Sequence, residues 1–188
     1  MNDLSNTPTS ERLTLSVIVP VFNERATIWE ILQRVVRRPE VDQLVIVDDC
    51  STDGTSKVLR DAEAEGWPEL RRAAGRPLPE IALRFHETNQ GKGAALRTGF
   101  AVADRDVFLT QDADLEYDPD DYPQLLVPLR DGRADAVYGS RFAGYPRRVL
   151  FFWHALGNKM LTTLSNMLCD LNLTDMETGY KAMRKEMV

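Results

Sequence analysis

The chain has 188 residues, 43% hydrophobic and 28% charged, which fits one folded α/β domain and argues against a disordered or fibrous chain. Its 23 Lys plus Arg stand against 29 Asp plus Glu, and a net charge of −6 argues against nucleic acid as a partner. No apolar run reaches the ~18 residues of a transmembrane helix. Residues Met1 to Arg12 are polar, have no signal-peptide apolar core and read as a disordered tail, leaving 13–188 as the domain. Cys50 and Cys169 lie far apart without metal-ligand spacing, so free thiols and a reducing cytoplasmic setting are expected.

Short β-branched runs alternate with amphipathic segments. Leu13 to Val19 predicts a buried strand. Ala26 to Arg38 carries Ile28, Ile31, Leu32, Val35 and Val36 at helical spacing. Leu44 to Val47 predicts a second strand, and Asp53 to Gly66 a helix with Asp53 as N-cap and Gly66 as stop. Trp67 to Glu80, rich in Pro, Gly and Arg, reads as a long surface loop. Ile81 to Phe85, Asp106 to Thr110 and Ala134 to Tyr138 predict further strands. Gly93 to Ala103 and Tyr122 to Arg130 predict the helices between them. Val149 to Cys169 is a long helical candidate that follows Arg147 and Arg148. It reads as a core or oligomer-interface helix or as one lying at a membrane surface. Such alternation marks a mostly parallel sheet with helices on both faces. Ligands of these folds bind beyond the carboxyl ends of the strands, so those residues carry the functional reading.

After the first strand stands Pro20-Val21-Phe22-Asn23-Glu24, whose polar pair can reach a ligand or cap a helix. After the second come Asp48 and Asp49, two carboxylates beyond an apolar strand that are costly unless they bind something. Gln90-Gly91-Lys92-Gly93 precedes a helix, where glycines admit an anion and Lys92 adds charge; a turn without ligand is the alternative. After the fourth strand, Asp112, Asp114 and Glu116 would share one face if the strand continued. Three carboxylates there repel one another, and Mg²⁺ or Mn²⁺ would relieve that repulsion.

The ordered pieces SVIVPVFNE, LVIVDDCSTDGT, ETNQGKGAALRTGF, FLTQDADLEYDP, AVYGSRF and DMETGYKAMR span nearly the whole chain. In them the chain resembles the family-2 glycosyltransferases of GT-A fold, in particular the polyprenyl-phosphate mannose and glucose synthases. The resemblance implies a nucleotide-diphosphate sugar donor, with Pro20, Phe22 and Glu24 against the nucleotide and Val47 and Asp49 at the base or ribose. It also places Asp112 and Asp114 around a divalent metal and the diphosphate, with Ala113 at the nucleotide and Lys92 as a further donor contact. Glu116, as third metal ligand, stands where related synthases often have Gln. Arg141 would face the phosphates or the acceptor, and Asp175, Glu177 and Thr178 the acceptor side. The implied reaction is metal-dependent, inverting transfer of a hexose to a dolichyl or undecaprenyl phosphate, at the cytoplasmic face of a membrane. A hydroxyl acceptor, or nucleotide-sugar binding without turnover, is the alternative. Only a hydroxyl acceptor would need a general base, for which Asp175 and Glu177 are the candidates. Peripheral membrane contact through Arg147, Arg148, Phe151, Phe152 and Trp153 is expected, with a homodimer interface as the rival use of that helix. Two departures from the family are the 67–80 segment, which is longer than usual, and the end at Val188, where members usually continue. The C-terminal part of the family domain is therefore expected to be missing from this chain.

Overall fold

The computed structural model describes residues 12–140 and 152–188, and their side chains apart from those of 152–155. The expectations placed on the first eleven residues and on Arg141, Arg147, Arg148 and Phe151, and on the side chains of Phe152 and Trp153, fall outside it.

The strands are β1 (Leu15–Val21), β2 (Val41–Asp48), β3 (Glu80–Phe85), β4 (Val107–Thr110), β5 (Ala136–Tyr138) and β6 (Lys181–Arg184). The helices are α1 (Ile28–Arg37), α2 (Thr55–Ala64), α3 (Pro68–Ala74), α4 (Lys92–Val102), α5 (Tyr122–Arg130) and α6 (Phe152–Cys169). They build one six-stranded sheet in the order β3-β2-β1-β4-β6-β5. Strands β3, β2, β1 and β4 pair in parallel, whereas β6 runs antiparallel to both β4 and β5. Tyr138 and Lys181 are register partners at one end of the β5–β6 pair.

Both faces are covered, as the alternation requires. On one face the α1 stripe Ile28, Ile31, Leu32, Val35 and Val36 is fully buried with Val17, Val19, Leu44, Ile46 and Leu109. On the other, α4 lies on Ile18, Val45, Val47 and Phe108 through Ala95. Gly99 permits this approach, because a Cβ there would collide with the Ile18 side chain.

Three features depart from the sequence reading. The 67–80 segment is not all loop, since α3 occupies its first half. Pro68 stands at the first helical position, Glu69 in the first turn, Arg71 and Arg72 in the last, and Gly75 follows at φ +61°. Leu70 and Trp67 are buried in the α1-side core, and that burial holds the helix in place. Second, β4 ends at Thr110, so Asp112, Asp114 and Glu116 do not share a strand face. They sit in a bend that contains Leu115 at φ +62°. Third, β6 was not foreseen, although it stands between β4 and β5.

The register aligns the strand ends that matter. Val21 pairs with Asp48, and Ile18 with Thr110, so the loops after β1, β2 and β4 open side by side.

Candidate active site

A cleft of about 450 Å³ opens at these carboxyl ends. Pro20, Phe22, Glu24, Asp49, Lys92, Asp112, Ala113 and Asp114 all line it, together with Val21, Asn89, Gly91 and Ala95. Val47 does not. It is fully buried among Ile18, Val45 and Ala95, because it lies within β2 beneath α4, short of the strand end where Asp49 opens to the cleft. Its expected contact with the base or ribose is therefore corrected to a core role.

The loops after β1 and β2 are tied together. Asn23, at φ +58°, accepts at Oδ1 from Thr52 N–H at 2.7 Å and donates its own N–H to Ser51 Oγ at 2.9 Å. Arg25 N–H donates to Asp53 Oδ2 at 2.9 Å, and Thr55 N–H to Asp53 Oδ1 at 3.0 Å. Asp53, expected as the N-cap of α2, stands one residue before the cap position, which Gly54 takes at φ +94°, and ties the first residue of the helix to the loop after β1. Phe22 is left 44% exposed at the cleft wall, an apolar ring available to a planar ligand.

The adjacent carboxylates after β2 divide their work. Asp48 is buried, and the hydroxyls of Ser51 and Ser56 donate to it, so local turn chemistry satisfies its charge. Asp49 faces the cleft. Gln90 N–H donates to it at 3.0 Å and Gly91 N–H at 2.7 Å, while His86 Nδ1 lies 2.6 Å from Oδ1. Burial alone would raise its pKa, but the Gln90 amide, His86 and the Gly91 amide together hold it below the ordinary carboxylate value. His86 Nε2 in turn lies 2.9 Å from Thr98 Oγ1 of α4. Asp49 therefore fixes the N-terminus of α4 against the end of β2. That terminus carries Gly91 at φ +86° and presents the positive end of the helix dipole to the cleft.

The Asp112–Asp114 loop is positioned from behind. Gln111 is fully buried, and its Oε1 accepts from Tyr122 and Tyr180 hydroxyls at 2.8 Å each, while Nε2 donates to Asp112 C=O at 2.9 Å. Burial pushes both phenols well above their ordinary pKa, so they remain neutral donors. Glu116 N–H donates to Asp114 Oδ1 at 2.9 Å, a local turn that fixes this exposed carboxylate at the cleft mouth. Glu116 itself is half-buried and absent from the cleft lining. Lys92 Nζ lies 2.5 Å from Asp112 Oδ1. Gly179 packs behind Asp112, where a Cβ would overlap its carboxylate and meet the Tyr117 ring at 2.7 Å. Tyr117 hydroxyl accepts from Gly179 N–H at 2.8 Å, and Thr110 hydroxyl donates to Gly179 C=O at 2.6 Å.

The residues expected on the acceptor side lie outside the cleft lining. Asp175 is buried and accepts from Asn158 Nδ2 of α6 at 2.7 Å. Thr162 hydroxyl donates to Asn158 Oδ1 at 3.0 Å and receives Met176 N–H at 3.2 Å. Glu177 is exposed, and Thr178 is buried. Among the described residues no three His, Cys, Asp or Glu side chains form a ready-made metal cluster. Two hard carboxylates, Asp112 and Asp114, do line one wall, and an ammonium already rests on the first of them. This set fits a cation that completes its shell with substrate phosphate, as Mg²⁺ and Mn²⁺ commonly do. His86, Gln111, Tyr122, Gly179 and Tyr180 had no signal in the sequence beyond their types, since their partners are distant along the chain.

Taken together, the sheet order, the paired acidic loop ends and the helix terminus between them are those of an α/β domain of GT-A type. The chain belongs to glycosyl transferase family 2, whose model matches residues 16–188. The UDP-N-acetylglucosamine–dolichyl-phosphate N-acetylglucosaminyltransferase of Methanococcus voltae is 28% identical over 174 residues, 90% of this chain and 68% of that protein. A mannosyltransferase of Pyrobaculum calidifontis, solved with GDP-Man and Mn²⁺, is 28% identical with a TM-score of 0.54, covering 66% of this chain and 34% of that one. Glucosyl-3-phosphoglycerate synthase of Mycobacterium tuberculosis, solved with Mn²⁺, UDP and glucosyl-3-phosphoglycerate, shares the fold with a TM-score of 0.63 at 22% identity. That match covers 93% of this chain and 57% of the synthase. Among the curated relatives it matches, the chain spans between 34% and 68% of their lengths.

Proposed function

We propose that this domain is the donor-binding, catalytic part of an inverting glycosyltransferase. It takes a hexose from a nucleoside-diphosphate sugar and passes it to a polyprenyl phosphate at the cytoplasmic face of a membrane. The observation that carries the donor half is the convergence of Phe22, Asp49, Lys92, Asp112 and Asp114 on one cleft. The acceptor half is supported by the Methanococcus voltae relative, whose name specifies a dolichyl-phosphate acceptor. Metal use is supported by the Mn²⁺ in the Pyrobaculum calidifontis structure.

In this reading Phe22 stacks on the base and Asp49 accepts from the base or ribose. Asp112 and Asp114 hold Mg²⁺ or Mn²⁺, which supplies charge neutralisation for the departing nucleoside diphosphate. Lys92 and the N-terminus of α4 add positive potential beside the same phosphates. Arg141 meets the phosphates or the acceptor. Asp175 and Glu177 set the acceptor side, the first through its bond to α6. A lipid phosphate is ionised at neutral pH and attacks the sugar C1 without a strong base, from the face opposite the leaving group. α6 lies against the membrane through its exposed Leu and Met side chains. Among the described residues no helix is long and apolar enough to cross a membrane.

Calorimetry with GDP, UDP, GDP-mannose and UDP-glucose, with and without Mn²⁺, tests the donor site on the wild type and on Asp114→Ala. Metal-dependent binding that disappears in the variant is expected. Binding of no nucleotide would sink the reading. Transfer from the preferred donor to a polyprenyl phosphate, with no transfer to water or to a hydroxyl acceptor, then tests the acceptor.

A further inference from the structure

Lys92 opens α4 on the cleft side, and its ammonium lies 2.5 Å from Asp112 Oδ1. The other oxygen, Oδ2, lies on the Gly179 side, where even a Cβ would overlap it, so Oδ1 is the oxygen that carries the ammonium. A second ammonium, Lys181 on β6, stands in the field of Lys92, Asp112 and Asp175, but the close ion pair to Asp112 is made by Lys92. Its Nζ lies over the Tyr138 ring at 5.3 Å. One carboxylate oxygen thus carries one close cation, with a second positive charge nearby. A divalent ion and an ammonium cannot share that oxygen without strong repulsion. The Lys92 side chain is 55% exposed on a flexible stem, so it is free to leave. A donor diphosphate entering beside Asp112 and Asp114 would give it an alternative anion within the same cleft.

We propose that Lys92 is an exchangeable cation latch. It occupies Asp112 Oδ1 in place of the divalent ion, yields that oxygen when the ion binds, and moves to the donor diphosphate. The latch rests on the proposed donor and metal site. It keeps the carboxylate loop neutralised and ordered between turnovers and couples metal entry to diphosphate capture. A residue serving only to fix the loop would not produce two effects of opposite sign on replacement.

The test compares wild type, Lys92→Met, Lys181→Met and Asp112→Asn. Mn²⁺ binding without nucleotide is followed by the electron paramagnetic resonance of free Mn²⁺, and GDP and UDP binding at saturating Mn²⁺ by calorimetry. Thermal unfolding verifies that each variant is folded. Lys92→Met is expected to bind Mn²⁺ alone about two- to fivefold tighter, the range of a half-exposed ion pair, and to bind the nucleoside diphosphate more weakly. Lys181→Met should change Mn²⁺ affinity less, because its charge acts without contact, and Asp112→Asn should weaken Mn²⁺ binding. An unchanged or weaker Mn²⁺ affinity in Lys92→Met overturns the latch, as does an equal gain in Lys181→Met. If wild type binds nucleotide with Mn²⁺ in those cases, the donor site stands and the latch alone fails. If wild type binds neither Mn²⁺ nor nucleotide, both fall together.

Discussion

Helices α1 and α6 use opposite faces of the same chemistry. In α1 the apolar residues point inward and five of them are fully buried, while Glu30, Arg34 and Arg37 face out. In α6 the buried positions among the described side chains are Asn158 and Thr162, bonded towards Asp175 and Met176. Its Met160, Met167 and Leu168 are 67%, 77% and 76% exposed, with Leu156, Leu161 and Leu164 beside them. The first helix is held by burial and the second by hydrogen bonds, with its apolar surface left uncovered. Stability and interaction are therefore written into different parts of one domain. Exposed apolar surface of this kind is what the proposed membrane contact would use.

The contrast can be broken at several points. Leu32→Ala in α1 should cost about 2–5 kcal/mol of stability in urea denaturation, through lost burial and a residual cavity. Gln111→Leu should cost about 1–3 kcal/mol for each tyrosine hydroxyl it leaves unpaired. Restoring Tyr122→Phe and Tyr180→Phe in that background should recover much of the loss, a coupling measurable by a mutant cycle. Gly179→Ala should lower Mn²⁺-dependent nucleotide affinity by about tenfold or more, since Asp112 must shift, while the unfolding midpoint changes less. An unaltered affinity would show that Asp112 has room to move. Met167→Ser with Leu168→Ser should alter stability by no more than about 0.5 kcal/mol. The same pair should reduce co-sedimentation with anionic lipid vesicles, whereas a shift from dimer to monomer instead would assign the face to a second copy.

The smallest effect concerns acid. Asp106 accepts Thr14 N–H at 2.9 Å and its hydroxyl at 2.7 Å, and these bonds hold its pKa below the ordinary carboxylate value. Its contribution is present above the unfolded-state pKa of about 4 and is lost as pH falls through the lower folded value. Asp106→Asn should flatten the fall of the melting temperature in that window and leave nucleotide binding at pH 7 unchanged.

The order of most strands and helices was legible because their apolar residues follow periods of 2 and 3.6. Helix α3 was missed although Pro68, Glu69 and Gly75 are ordinary start and stop signals. The clustered Pro, Gly and Arg outweighed them, and the burial of Leu70 that stabilises the helix is a tertiary fact. β6 is only four residues long and gains its place by pairing on both sides with strands far from it in sequence. Among the site residues, those carried by strand-end motifs reach the cleft except Glu116. Val47 does not, because it lies inside β2 beneath α4, whereas Asp49, on the same side two residues on, has passed the end of the strand and reaches the opening. The extension of β4 through Glu116 failed for a different reason: the strand ends at Thr110, and the chain then bends through a segment that includes Leu115 in a left-handed conformation, which no pattern of carboxylates reveals. Asp48 needed no ligand because Ser51 and Ser56 answer it locally.

The chain leaves the sheet at Tyr138 and returns beside it at Lys181, as register partners. Everything between is an excursion anchored at both ends by one antiparallel pair. The entropy of closing such an excursion grows only slowly with its length. Apart from Gly179 and Tyr180, which pack against Asp112 and bond to Gln111, respectively, the sequence between the two anchors can therefore change in length or composition while the strand spacing around the cleft is kept. A lineage carrying this sheet could trade that cassette, and with it the surface presented to a second substrate, without redesigning how the first is held.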